Sequence, residues 1–163
     1  MNNFILDQID LDILRLLQQD ARLTNKELAV KLHKSSSTMF ERVCKLKEQG
    51  FIKGSITVID REKFEDLWIT FTQVQLNEHN GQALVAFQDE VIQFPEVLEC
   101  YHTTGTFDFL LKIVVSDMNA YNRVIVNKLA ALKNVGSLQS CFVVNEAKRD
   151  LAYPLKNKTR SLS

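Results

Sequence analysis

Eight basic side chains crowd one stretch of this sequence. Arg22, Lys26, Lys31, Lys34, Arg42, Lys45, Lys47 and Lys53 meet only Glu27, Glu41 and Glu48, a local net charge of +5. The whole 163-residue chain is balanced, with 20 Lys+Arg against 20 Asp+Glu. A basic segment in a neutral chain is an electrostatic footprint for a polyanion. Inside it, Ser35-Ser36-Ser37-Thr38 supplies short hydroxyls that can cap a helix or donate outward. A second group of chemical interest is His102-Thr103-Thr104-Gly105-Thr106-Phe107-Asp108. It combines a glycine that permits a turn, hydroxyl donors, backbone N–H groups and one carboxylate. Cys44, Cys100 and Cys141 are odd in number and scattered, and the histidines are His33, His79 and His102. Neither a disulfide framework, a zinc site nor a nucleophile–base constellation is indicated, and no cofactor is expected.

Two further exclusions bound the reading. No apolar run approaches the roughly 18 residues of a membrane span, and Lys112 interrupts the best candidate, 109–115. The first residues lack the basic and apolar regions of a secretory leader. A cytoplasmic chain with no membrane partner is expected.

The elements that must position these groups follow from periodicity. Ile9, Ile13, Leu16 and Leu17 predict a helix over 7–20, capped by Asp7. Thr24-Asn25-Lys26-Glu27 is a capping box opening a short helix with Leu28, Ala29 and Leu32 inward, ending near His33-Lys34. A third helix starts between Ser35 and Thr38 and runs to Gln49. Its stripe is read as Phe40, Val43 and Leu46, and Gly50 ends it in a left-handed conformation. Residues 51–60 read as a strand. Beyond a charged connection come a strand at 68–77, a helix at 82–94 stopped by Pro95, strands at 97–104 and 107–115 around a tight Gly105-Thr106 turn, a helix from Asp117 to Leu132, and a strand at 135–145. That order, βαββαβ, is ferredoxin-like, giving an α+β chain. The expected division is 1–53, a connecting strand and linker over 54–66, a domain over 67–146 and a polar arm over 147–163.

Specific residues carry a resemblance. Leu6-Asp7-x-x-Asp10-x-x-Ile13-Leu14-x-x-Leu17-Gln18 resembles the opening helix of the Lrp/AsnC, or feast/famine, regulators. Glu41-Arg42-Val43-x-x-Leu46-x-x-x-Gly50-Phe51-Ile52 resembles their recognition helix, and Gly105-Thr106-Phe107-Asp108-Phe109-Leu110-Leu111-Lys112 their turn-and-strand signature. Asp117-Met118-x-x-Tyr121 follows at the family's spacing. The chain departs from the pattern at Thr106, where a second acid is usual, at His33-Lys34, where Gly then Leu is common, and at Cys44, often basic. Histidine tolerates positive φ better than most residues, so the helix-turn-helix corner can survive.

The resemblance implies a winged or plain helix-turn-helix domain followed by an ACT-like (RAM) domain. The partners it implies are double-stranded DNA, a small effector such as an amino acid, and further copies of the chain as dimers and octamers. The residues it implies for DNA are Lys34, Ser36, Ser37, Thr38, Arg42, Lys45 and Lys47: short polar groups for base edges, cations for phosphates. For the effector they are Thr103, Thr104, Gly105, Thr106 and Asp108, with Met118, Gln139 and Cys141 bordering the site between dimers. Two alternatives share the architecture: a siroheme-decarboxylase-like enzyme, and a DNA-architectural protein without a ligand.

Overall fold

A computed structural model describes residues 4–65 and 67–156, and of Glu62 only the backbone. Contacts divide the chain into two compact units, Met1–Val58 with Lys148–Ser163, and Ile59–Ala147. The polar arm, expected as an appendage, therefore belongs with the N-terminal helices.

The first unit holds α1 (Gln8–Gln19), α2 (Asn25–Leu32) and α3 (Ser36–Glu48). Each starts where a side chain satisfies the free N–H groups of its first turn. Asp7 and Asp10 form a reciprocal box at α1, Thr24 and Glu27 another at α2, and Ser35 accepts from Thr38 N–H at α3. His33 ends α2 at φ 53° and Gly50 follows α3 at φ 76°. The corner thus uses the positive φ that histidine tolerates. Ile13, Leu14, Leu28, Ala29, Met39 and Leu46 form the core. The α3 stripe differs from expectation by one residue. Met39 is fully buried and Phe40 is 57 % exposed, because Met39 and Leu46, two turns apart, lie on one line of the helix. Residues 52–60 form no strand. Their N–H and C=O groups have no ladder partner within the described chain, and a lone strand does not sustain itself.

The second unit is a four-stranded antiparallel sheet in the order β2-β3-β1-β4, from β1 (Trp68–Leu76), β2 (Val97–His102), β3 (Phe109–Val115) and β4 (Val135–Phe142). Helix α4 (Gly81–Val91) and α5 (Met118–Arg123) complete the βαββαβ order. The alternate residues Val74, Leu76, Phe109, Leu111, Ile113 and Val115 meet Phe87, Val91, Val124 and Leu129 from the helices. The opposite face carries Phe71, Gln73, Leu110, Lys112, Gln139 and Cys141, as the register requires.

The second helix of this unit is not α-helical throughout. Val124–Leu129 form a π segment, in which Ala130 N–H donates to Ile125 C=O at 2.8 Å. Val124 and Leu129, five apart, would diverge on an α-helix; a wider turn buries both. The β2–β3 connection is also longer than the expected tight turn. It spans 103–108, because pairing stops at His102↔Phe109.

Candidate DNA and effector sites

The N-terminal end of α3 is exposed. Ser36, Ser37 and Lys34 face solvent, and Ser35 Oγ lies 3.0 Å from Ser37 Oγ and 2.7 Å from Thr38 Oγ1. Ser35, absent from the expected set, is the cap that organises these hydroxyls. Ser37, Glu41, Cys44 and Glu48 recur at helical spacing opposite the buried Met39–Leu46 line. Glu41 therefore joins the outward-facing set that sequence reasoning limited to hydroxyls and cations, while Cys44 beside it is half-buried. Lys45 is less free than expected: its ammonium sits 4.5 Å above the Phe4 ring. Lys47 borders an open apolar groove of about 1630 Å³, shared with Phe40, Cys44, Phe51, Ile56 and Val58.

Arg42, expected to meet DNA, is placed against α1. Its Nη1 donates to Asp7 Oδ2 and to Asp10 Oδ1, both at 2.7 Å. Asp10 is 5 % exposed, so Arg42 neutralises a buried carboxylate. Its side chain turns towards α1, not outward. Hydrogen bonds from Arg42 to Asp10 and Asp7 raise its pKa further above neutrality. Burial alone would raise the pKa of Asp7, yet the Asp10 N–H and Arg42 outweigh it and hold the carboxyl below its usual range. The carboxylates that clip α3 to α1 are the same ones that cap α1.

In the sheet unit, the 103–108 loop is held at both ends. Thr103 N–H donates to Asp108 C=O at 2.8 Å, Asp108 N–H to Val74 C=O at 2.9 Å, and Thr103 Oγ1 to Phe107 C=O at 2.9 Å. Gly105 takes φ 113°, with open space where a Cβ would stand. The N–H groups of residues 104–107 have no partner among the described residues. Successive free N–H groups at a positive-φ glycine suit an anionic group.

The Asp108 carboxylate, expected to face a ligand, is engaged within the chain. Its Oδ2 accepts from Leu76 N–H at 2.7 Å and its Oδ1 lies 2.8 Å from His79 Nδ1. Burial opposes ionisation, but the Leu76 N–H and His79 prevail and its pKa is lowered. His79, twenty-nine positions away, is the anchor that sequence reasoning missed.

The remaining expected residues are spread out. Gln139 and Cys141 lie on the open sheet face, paired with Gln73 and Phe71. Met118 opens α5 beyond the far end of β3, about 20 Å along a seven-residue strand from the loop. One chain alone does not bring Met118 to the loop.

A helix-turn-helix unit joined to a βαββαβ unit with an anion-suited loop defines a DNA-binding protein with a ligand-binding domain. Residues 6–53 match a winged helix-turn-helix DNA-binding domain and residues 69–153 the Lrp/AsnC ligand binding domain. The chain belongs to the Lrp/AsnC family of transcriptional regulators. It is 33 % identical to the Bkd operon transcriptional regulator of Pseudomonas aeruginosa over 92 % of this chain and 98 % of that one. It is 32 % identical to the leucine-responsive regulatory protein of Escherichia coli over 94 % and 93 %. A crystal structure of a Neisseria meningitidis transcriptional regulator in complex with L-methionine is similar at a TM-score of 0.82 and 32 % identity, covering 91 % of this chain and 96 % of that one. These relatives are named as regulators, and none of these names supports the decarboxylase alternative.

Proposed function

We propose that this chain binds operator DNA through the N-terminal end of α3 and that an amino acid, held at the 103–108 loop between copies of the chain, adjusts that binding. The observation that carries the effector half is the run of free N–H groups at residues 104–107, beside an Asp108 that is already used. The loop offers the carboxylate of an amino acid a backbone cradle with Thr104 and Thr106 hydroxyls nearby. Asp108 and Thr103 shape that cradle. The ammonium then needs acceptors from elsewhere, and the separation of Met118, Gln139 and Cys141 from the loop favours a site completed by a second copy.

For DNA, Ser36, Ser37 and Thr38 meet base edges or phosphates at the helix end, where free N–H groups and the dipole also favour phosphate. Lys34, Lys45 and Lys47 serve the backbone. Arg42 acts through α1, as the clip that sets the angle of α3. Dimers formed on the open sheet face present two α3 helices to half-sites about one DNA turn apart, or a multiple of it, and dimers associate further into octamers. The cell compartment that fits this work is the cytoplasm.

The test is selection of DNA from a random pool, then anisotropy titration over a range of salt. A pseudo-palindromic consensus is expected, and Lys34→Ala should weaken binding to all sequences while reducing the salt slope by about 1. In parallel, L-leucine and L-methionine lead a thermal-shift panel of amino acids, because a ligand of the native state raises the melting temperature. No consensus in the selection removes the DNA half; no shift with any amino acid removes the effector half and leaves the ligand-independent alternative.

A further inference from the structure

The chain passes between its two units twice, leaving the helical unit after Val58 and rejoining it at Lys148. The returning arm is docked. The Gln18 side-chain amide accepts from Tyr153 N–H at 2.8 Å and donates to Tyr153 C=O at 3.2 Å. Arg15 Nη2 donates to Leu155 C=O at 2.8 Å while its Nη1 is fixed by Asp12 at 2.6 Å. Leu155 packs against the apolar core of the three helices. The Tyr153 side chain stays 77 % exposed. Helix α1 thus reads the arm by its backbone and one apolar anchor. Such a dock is specific in register yet small enough to release, since exposed hydrogen bonds exchange readily with water.

At its other end the arm is continuous with β4. The last ladder bond there is Val143 N–H to Ile69 C=O at 2.9 Å. Residues 144–152 lie between that bond and the docked Tyr153; within them Glu146 is 3.9 Å from Arg61 and Asp150 accepts from Ala152 N–H at 3.0 Å. Helix α1 in turn carries Asp7 and Asp10, which hold Arg42 of α3. We infer that the C-terminal arm is a coupling strap: it transmits the state of β4, which carries Gln139 and Cys141, to α1 and through the Arg42 clip to α3. This rests on the effector reading above. The crossing at 58–59 is one connection between the units. A second tether closes a loop, and closing it has an entropic cost that depends on the free length. A ligand that orders or frays β4 alters that length and so alters docking on α1. Reciprocity then requires that undocking the arm change β4.

The test is amide hydrogen exchange on the full chain. Leu155→Asp should release the arm, speeding exchange in α1 and at Tyr153, and also several-fold at Ser140, Cys141 and Phe142 of β4. Leu155→Met, which keeps the anchor, should match the unaltered chain at all these sites. Gln18→Ala removes the amide clamp without placing a charge near the core, and serves if Leu155→Asp unfolds the helical unit. Faster exchange confined to the arm and α1, with β4 unchanged in both variants, overturns the strap. Repeating the experiment with L-leucine or L-methionine separates the two ideas. Coupled exchange with neither amino acid bound leaves the strap standing and removes these two as effectors. An amino acid that binds while β4 ignores the arm leaves the effector reading and removes the strap.

Discussion

The helical unit and the sheet unit solve the same stability problem with different materials. In the sheet unit a continuous apolar layer, Phe109, Leu111, Ile113 and Val115 against Phe87, Val91 and Leu129, excludes water from both sides of the contact. The helical unit is small, its core is largely Ile13, Leu28, Met39 and Leu46, and its elements are also tied by polar links: Asp7 and Asp10 to Arg42, Gln18 and Arg15 to the arm. Apolar layers resist mutation of single charges; polar clips do not. The unit that carries the helix-turn-helix leans on the more easily altered material.

The sharpest way to break that contrast is Arg42→Ala. It leaves the Asp10 carboxylate buried without its cation, a loss of about 2–3 kcal/mol, below the fully buried case because Arg42 is partly hydrated. Chemical denaturation followed by helical circular dichroism should show the helical unit melting first. DNA binding should weaken, yet with the salt slope unchanged, since Arg42 turns inward. A slope reduced by about 1 would return Arg42 to the phosphate-contacting set. Asp10→Asn with Arg42 intact should lose less, because the amide can still accept from the guanidinium.

The local devices of both units were legible because they are short-range. The Thr24–Glu27 box, the His33 corner, Gly50 and the βαββαβ order all depend on neighbours within a few positions. The features that were not legible join distant positions: Arg42 to Asp10, His79 to Asp108, Gln18 to Tyr153. Periodicity says which face of a helix is apolar, not which carboxylate on another helix a cation will find. The choice of Phe40 over Met39 failed for a related reason. Both are apolar and adjacent, and only the packed partner decides which turns inward. The strand expected over 51–60 failed because its residues suit extended structure while the described chain offers no ladder partner.

Gly105→Val tests the sheet unit at its candidate site. At φ 113° a β-branched side chain is strained whatever the space, and a loss on the order of 1–2 kcal/mol is expected. The strain falls on a loop whose ends are anchored by Asp108, so the sheet should persist. Amino-acid binding should drop further than stability, because the free N–H groups at 104–107 lose their alignment. Equal losses in both would make Gly105 a turn residue alone.

Acid should reach both units through Asp7 and Asp108, whose folded pKa values are lowered. A depressed carboxylate stabilises above its unfolded value of about 4, and that contribution fades as pH falls through the folded one. Melting temperature should therefore fall between roughly pH 5 and 3. Asp108→Asn should be less stable at neutral pH and should lose less on acidification. An unchanged acid slope would mean that Asp108 titrates alike in folded and unfolded chains.

The smallest effect expected is a gain. Thr70 is fully buried in β1, and its Oγ1 has no hydrogen-bond partner among the described residues. A buried hydroxyl left unpaired costs about 1–3 kcal/mol of desolvation, whereas a methyl of similar shape costs none. Thr70→Val keeps the β-branch that suits a strand. The surroundings favour the exchange, since Thr70 pairs with Phe142, which packs edge-on against Trp68 and Tyr121. The variant should gain about 1 kcal/mol, the low end of that range, because a hydroxyl can rotate towards some weak acceptor. A gain means that even the apolar layer carries one polar defect, and that relieving it strengthens the sheet unit further relative to the helical one. A loss means that the hydroxyl has a partner in solution, such as a water or a second copy of the chain, and that this end of the sheet belongs with the polar clips of the helical unit.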